Sequence, residues 1–148
     1  YKRQERDRLF RSRAELLKLQ EQGGRAQQAA NELLFIKINE YLEKNDRFLE
    51  RDISREMLAT TLGTNRNYIG DAVKSETGMT FNDYINNLRL DYAWQLLGRE
   101  PSFPVNMVAD ESGFNSVRTF YRLFREKYGM TPSEYRYILS KRKNTDCK

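Results

Sequence analysis

The sequence predicts an all-α protein, and three observations support that prediction. Apolar residues recur at spacings of three and four over most of the chain, the period of a helix face rather than of a strand. Capping and stop residues punctuate these stretches at regular points. A unit of about 50 residues also occurs twice, with Gly78-Met79-Thr80 returning as Gly129-Met130-Thr131 at an offset of 51.

Residues 1–22 read as a basic helix with a narrow apolar edge. Leu9, Leu16 and Leu19 lie close to a heptad seam, with Phe10 and Leu17 beside it, and two heptads of this kind give the makings of a short coiled coil. The glycine pair Gly23-Gly24 is expected to break the pattern, because paired glycines weaken a helix and supply hinge freedom. Residues 1–24 are therefore assigned as a connector. From Arg25 to Lys44 the pattern is helical again, with Ala26, Ala30, Leu33, Leu34, Ile38, Tyr41 and Leu42 on one face.

Ser54 caps a short helix over Arg55–Leu62, with Leu58, Ala59 and Leu62 inward and Gly63 ending it. A second helix runs from about Asn65 to Thr77 and stops at Gly78. Residues 25–80 form the first unit. Thr80 then caps a longer helix, Phe81–Leu97, whose inner stripe is Ile85, Leu88, Tyr92 and Leu96. Gly98 and the Pro101/Pro104 pair are expected to end it, so residues 81–98 form a linker helix.

The second unit, residues 99–140, repeats the first. At the offset of 51, Ile69 matches Phe120, Val73 matches Phe124, Lys74 matches Arg125 and Tyr84 matches Tyr135. Upstream, Leu58-Ala59 and Gly63 match Val108-Ala109 and Gly113 at an offset of 50, so the second copy has one more residue in its turn. Its last helix opens on Thr131-Pro132-Ser133-Glu134, a capping box with proline at the first helical position. Residues 141–148 are a basic tail.

The chain has 148 residues, with 26 Lys+Arg against 21 Asp+Glu for a net charge of +5. It contains no histidine and one cysteine, Cys147. These counts exclude zinc sites built on His or several Cys, His-dependent triads and disulfide frameworks. No Gly-rich phosphate loop or metal cluster is visible, so neither an enzyme nor a cofactor is expected. No apolar run approaches the roughly 18 residues of a membrane span. A lone thiol without a signal peptide fits the cytoplasm. Because the chain opens on Tyr1 rather than Met, an upstream part is expected.

Within each unit the order is short helix, tight turn, second helix. Ala59 lets two helices approach closely, Gly63 tolerates a left-handed turn, and Ile69 locks the second helix on the first. This is the spacing of a helix-turn-helix, whose second helix enters a DNA major groove. An ordinary helical hairpin in a bundle is the alternative for one copy; two copies in register favour DNA.

The segment from about Phe35 to Tyr137 resembles the DNA-binding domain of the AraC/XylS transcription regulators. The resemblance rests on Gly113-Phe114-Asn115-Ser116, on Phe120-Tyr121-Arg122-Leu123-Phe124-Arg125, and on Gly129-Met130-Thr131-Pro132-Ser133-Glu134-Tyr135-Arg136. It implies seven helices: two helix-turn-helix units joined by the linker helix, with both recognition helices in successive major grooves ~34 Å apart. The wording of Gly63–Tyr68 and Phe81–Ile85 is similar to a subgroup of membrane-anchored or hybrid two-component regulators. Six of the first 13 residues are Lys or Arg against two acids, which suits a cytoplasmic stretch just after an inner-membrane helix and equally a solvated helix face.

The resemblance also indicates contact residues. In the second unit the base-facing positions are Val117, Arg118 and Arg122; the arginines lie four apart, hence on one face. Either can donate a bidentate pair to guanine, and Val117 can pack on a thymine methyl. Ser116 and Thr119 are phosphate contacts or caps, with Arg125 and Lys127 adding general attraction. In the first unit the matching positions are Asn67, Gly70 and Asp71. Asn67 suits adenine, Gly70 offers no side chain, and Asp71 is repelled by phosphate unless it accepts from cytosine or pairs with an arginine. Asn65, Arg66 and Lys74 complete the set, the last two as phosphate contacts. The first unit is expected to read few bases.

Aromatic residues make up 12% of the chain, which raises stacking on single strands as an idea. Phe120, Phe124, Tyr84, Tyr92 and Tyr135 fall on inner stripes, however, leaving Trp94 and the more polar tyrosines for the surface. Double-stranded DNA is thus the expected partner. RNA polymerase and a second copy, joined through the N-terminal helix or the upstream region, are further candidates. A helical protein-interaction module without base readout is the alternative. Residues 101–148 hold nine basic and five acidic groups, against six and seven for residues 51–100, which places the principal grip on the second unit.

Overall fold

The computed structural model describes residues 2–146, and every regular element among them is helical. The elements are α1 (Lys2–Glu43), a 3-10 segment (Lys44–Leu49), α2 (Arg55–Leu62), α3 (Arg66–Thr77), α4 (Phe81–Arg99), α5 (Val105–Glu111), α6 (Val117–Tyr128) and α7 (Pro132–Asp146). Cys147 and the side chains of Leu9 and Phe10 lie outside the described residues.

Two cores form, one per unit. The first joins Ile38 and Leu42 of α1 to Leu58 and Ala59 of α2, Ile69, Ala72 and Val73 of α3, and Phe81 and Ile85 of α4. The second joins Leu90, Ala93, Leu96 and Leu97 of α4 to Val108, Ala109, Phe114, Phe120 and Phe124. Helix α4 therefore faces one core with its first half and the other with its second. The expected single stripe of Ile85, Leu88, Tyr92 and Leu96 is correspondingly incomplete: Leu90, Ala93 and Leu97 are just as buried.

The capping signals operate as hydrogen bonds. Ser54 accepts from the Met57 N–H at 3.1 Å, and Thr80 from the Asp83 N–H at 3.2 Å. The box at α7 is reciprocal, with the Glu134 N–H donating to Thr131 Oγ1 and the Thr131 N–H to Glu134 Oε2, each at 3.2 Å. Each such cap satisfies an otherwise orphaned backbone group.

Several expectations are corrected. Gly23-Gly24 does not break the N-terminal helix; α1 runs through the pair, because good helix formers on both sides propagate it against about 1 kcal/mol per glycine. Gly98 does not end the linker helix, which continues to Arg99; α7 crosses there, with Leu139 Cδ1 3.7 Å from where a Cβ would lie. Leu33 is 64% exposed and Ala26 and Ala30 are exposed, since the face of α1 that meets the core is Leu34, Phe35, Ile38, Tyr41 and Leu42. Trp94 is half-buried rather than on the surface, stacked on Tyr135 at 3.7 Å between centroids. Helix α7 carries the basic tail as far as Asp146.

The units are joined by more than α4. Arg89 of α4 donates from Nε to the Phe48 carbonyl at 2.8 Å and from Nη2 to the Glu50 carbonyl at 2.7 Å. Arg51 then reaches the second unit, bonding Asp110 and, at 3.0 Å, Asn115. Gly113 closes the junction: at φ +86° it takes a left-handed conformation, and a Cβ there would stand 2.8 Å from the Leu49 carbonyl oxygen. Strain at positive φ costs of order 1–3 kcal/mol, and the clash with backbone adds to it. Gly113→Ala is expected to destabilise the fold by about 2 kcal/mol or more in denaturant unfolding, and unchanged stability would show that the junction is loose.

Candidate DNA interface

Helices α3 and α6 are the second helices of their units, and each starts on a side-chain cap. Asn65 Oδ1 accepts from the Asn67 N–H at 3.0 Å and the Tyr68 N–H at 3.1 Å. Ser116 Oγ accepts from the Thr119 N–H at 3.2 Å. Both caps hold the first turn of the helix in place, where a recognition helix meets base edges.

Along α6, Arg118, Arg122 and Arg125 are exposed and recur at spacings of four and three, so they form one positive stripe. Val117 at its head is 38% exposed and Thr119 half-buried. Arg122 pairs with Glu126 at 3.3 Å, one turn on. Among the described residues Arg118 and Arg125 have no carboxylate at ion-pair distance. Lys127 differs from expectation: it bonds Asp91 of α4 at 2.5 Å and so straps α6 to the linker helix. Asp91 also accepts from the Tyr128 hydroxyl at 2.7 Å; burial first, then this bond, raises the phenol well above its ordinary pKa.

Along α3, Arg66, Asn67, Asp71 and Lys74 are exposed. Arg66 pairs with Glu56 at 3.5 Å. The Glu56 carboxyl is held below its ordinary range by its own backbone N–H, with Arg66 and Arg55 adding. Lys74 donates to the Gly78 carbonyl at 3.0 Å and so caps the end of α3. Asp71 has no ion pair among the described residues.

Equivalent concavities open beside the two helices. One is lined by Gly70, Asp71, Lys74 and Thr80, together with Arg55 and Asn67. The other is lined by Tyr121, Arg122, Arg125 and Thr131, together with Glu126. The first four residues of each correspond one to one at the offset of 51. The duplication therefore extends from the fold to the exposed face, while the chemistry of the two faces differs.

A family model described as a helix-turn-helix domain matches residues 58–137. The regulatory protein SoxS of Escherichia coli is 31% identical over 94 residues, 64% of this chain and 87% of SoxS. The chain belongs to the AraC family of helix-turn-helix regulators. A probable transcriptional regulator of Photobacterium leiognathi, LumQ, is 32% identical over 107 residues, 72% of this chain, and the chain spans only 42% of LumQ. The DNA-binding domain of AdpA, solved in complex with a target DNA, shares the fold, with TM-score 0.64 and 23% identity over 72% of this chain and 93% of that one.

Within this AraC-type domain one exposed group has no place in the sequence-derived set. Arg55, the first residue of α2, lies over α3 and lines the concavity with Asn67, Gly70 and Asp71. Only the missing side chain at Gly70 hinted that a residue from elsewhere fills that point.

Proposed function

We propose that the chain reads double-stranded DNA with α3 and α6 in successive major grooves and that α6 supplies most of the grip. The observation behind this reading is the stripe of Arg118, Arg122 and Arg125, exposed on a capped helix of an AraC-type domain. The corresponding residues of α3 are Asn67, Asp71 and Lys74, of which Lys74 is bound to its own helix end. Phosphate neutralisation supplies affinity, and the Arg118/Arg122 face supplies base discrimination. The AdpA domain, which shares this fold, was solved with a target DNA, and this supports duplex DNA as the partner.

If about four phosphates are neutralised, affinity for duplex DNA is expected to fall roughly a hundredfold between about 50 and 200 mM salt. Arg122→Ala is expected to remove ~1–3 kcal/mol of sequence discrimination, and Asp71→Ala far less. Fluorescence anisotropy on a selected site checks both. A flat salt response, or a larger loss from Asp71→Ala, contradicts the assignment.

The second partner in this reading is another copy of the chain. On α1 the exposed residues Leu16, Leu19, Gly23, Ala26, Ala30 and Leu33 recur at alternating spacings of three and four, the seam that a like helix fills. Such pairing suits a regulator whose sensing part lies upstream, in a two-component or membrane-linked protein. Among the described residues no helix is long and apolar enough to cross a membrane. In sedimentation equilibrium the chain is expected to dimerise and Leu16→Arg/Leu19→Arg to be monomeric. A monomeric parent chain would remove this partner.

A further inference from the structure

In the second unit, the recognition-helix station that matches Gly70 is held by Tyr121, and the station that matches Arg55 is held by Val105. Both pack against the second core, and the Tyr121 hydroxyl lies 3.0 Å from Ser133 Oγ. In the first unit the same two stations hold a glycine on the recognition helix and a cation on the preceding helix. The two residues fit each other: Arg55 Nη1 lies 3.1 Å, and its Cδ 3.6 Å, from the point where a Cβ on residue 70 would sit. Gly70 is ordinary right-handed helix, so its backbone does not call for glycine. What the missing side chain provides is room for the guanidinium.

That room lies on the face that matters for readout. Asn67, Gly70, Asp71 and Lys74 follow one another at spacings of three, one and three, which is a single helix stripe, and Arg55 shares the concavity they line. Arg55 is exposed and among the described residues has no carboxylate at ion-pair distance. Asp71, which on its own would repel the DNA backbone, lines the same concavity as this cation.

We infer that Arg55, reaching across Gly70 from α2, is the base-reading cation of the first unit and donates to the O6/N7 edge of a guanine. This rests on the reading that the α3 face meets DNA. It changes the content of that reading, because the first unit then contributes base specificity through a residue outside its recognition helix. A planar guanidinium is suited to the role, since its paired N–H donors match the two acceptors of guanine in the major groove.

The test is selection of bound sites from a pool of random duplexes at fixed salt, using the full chain and three variants. Arg55→Ala removes the cation, Gly70→Gln displaces it without altering charge, and Arg122→Ala serves as the second-unit control. Helical circular dichroism and the unfolding midpoint establish that each variant is folded. The parent chain is expected to enrich a guanine in one half-site that Arg55→Ala and Gly70→Gln both lose, by about 5-fold to 100-fold in enrichment. Arg122→Ala is expected to alter the other half-site only. If Arg55→Ala selects the same sequence as the parent, or binds more weakly with unchanged preference, Arg55 reads no base and the inference is overturned while the control keeps the wider reading. If the parent chain enriches no sequence, the DNA-reading function itself fails.

Discussion

The geometry of both recognition helices depends on the Arg89 guanidinium. It stands in the middle of the linker helix, half-buried, and donates to two backbone carbonyls of the segment that enters the first unit. Burial, with the Arg51 charge adding, lowers its pKa from the ordinary value, yet an arginine remains charged in a protein. Hydrogen bonds from a charged donor contribute about 1.5–3 kcal/mol each, and loss of the donor would leave the Phe48 carbonyl without that partner. The same segment meets Gly113 and, through Arg51, Asp110 and Asn115. Two cores that share one helix would otherwise be free to bend about it. The strap and the Arg51 bonds oppose that bending, and α3 and α6 are each packed into their own core by Ile69 and Phe120.

On this frame the two copies of the unit differ where a difference changes chemistry rather than packing. The inward residues are conservative across the copies: Ile69 and Phe120, Val73 and Phe124, Ala59 and Ala109 are all buried. The outward ones are not. Asp71 stands where Arg122 stands, Gly70 where Tyr121 stands, and Asn67 where Arg118 stands. The excess of positive charge in residues 101–148 follows from these exchanges and from the tail. The cations diverge as well: Lys74 turns to its own helix end, whereas its counterpart Arg125 is exposed with no carboxylate at ion-pair distance among the described residues.

The fold was legible because its signals are local and periodic. Caps at Ser54, Thr80 and Thr131, and stops at Gly63 and Gly78, all lie within a few residues of the groups they satisfy, whereas Asn65, placed inside the helix by its pattern, is the cap of α3. The misreadings came where local rules met context. Gly23-Gly24 breaks a helix only when propagation on either side is weak, and Leu33 looks inward only if α1 is assumed to be covered along its length. Of the candidate site, Asn67, Asp71, Arg118 and Arg122 came from the resemblance to the family's base-facing positions, with helix phase adding only that the two arginines share one face; all four are exposed. The duties of Lys74 and Lys127, the Arg89 strap and the seat of Arg55 over Gly70 involve partners set by tertiary packing, and no spacing along the chain announces them.

If the strap makes one rigid body, the two helices demand half-sites at one fixed phase on the duplex. The direct measurement is affinity for a selected duplex and for the same duplex with about five base pairs inserted between its half-sites, roughly half a helical turn. Rigid coupling predicts that the insertion reduces binding to that of a single half-site. Equal affinity for both duplexes would mean that the units swing independently about α4, contradicting the role assigned to Arg89.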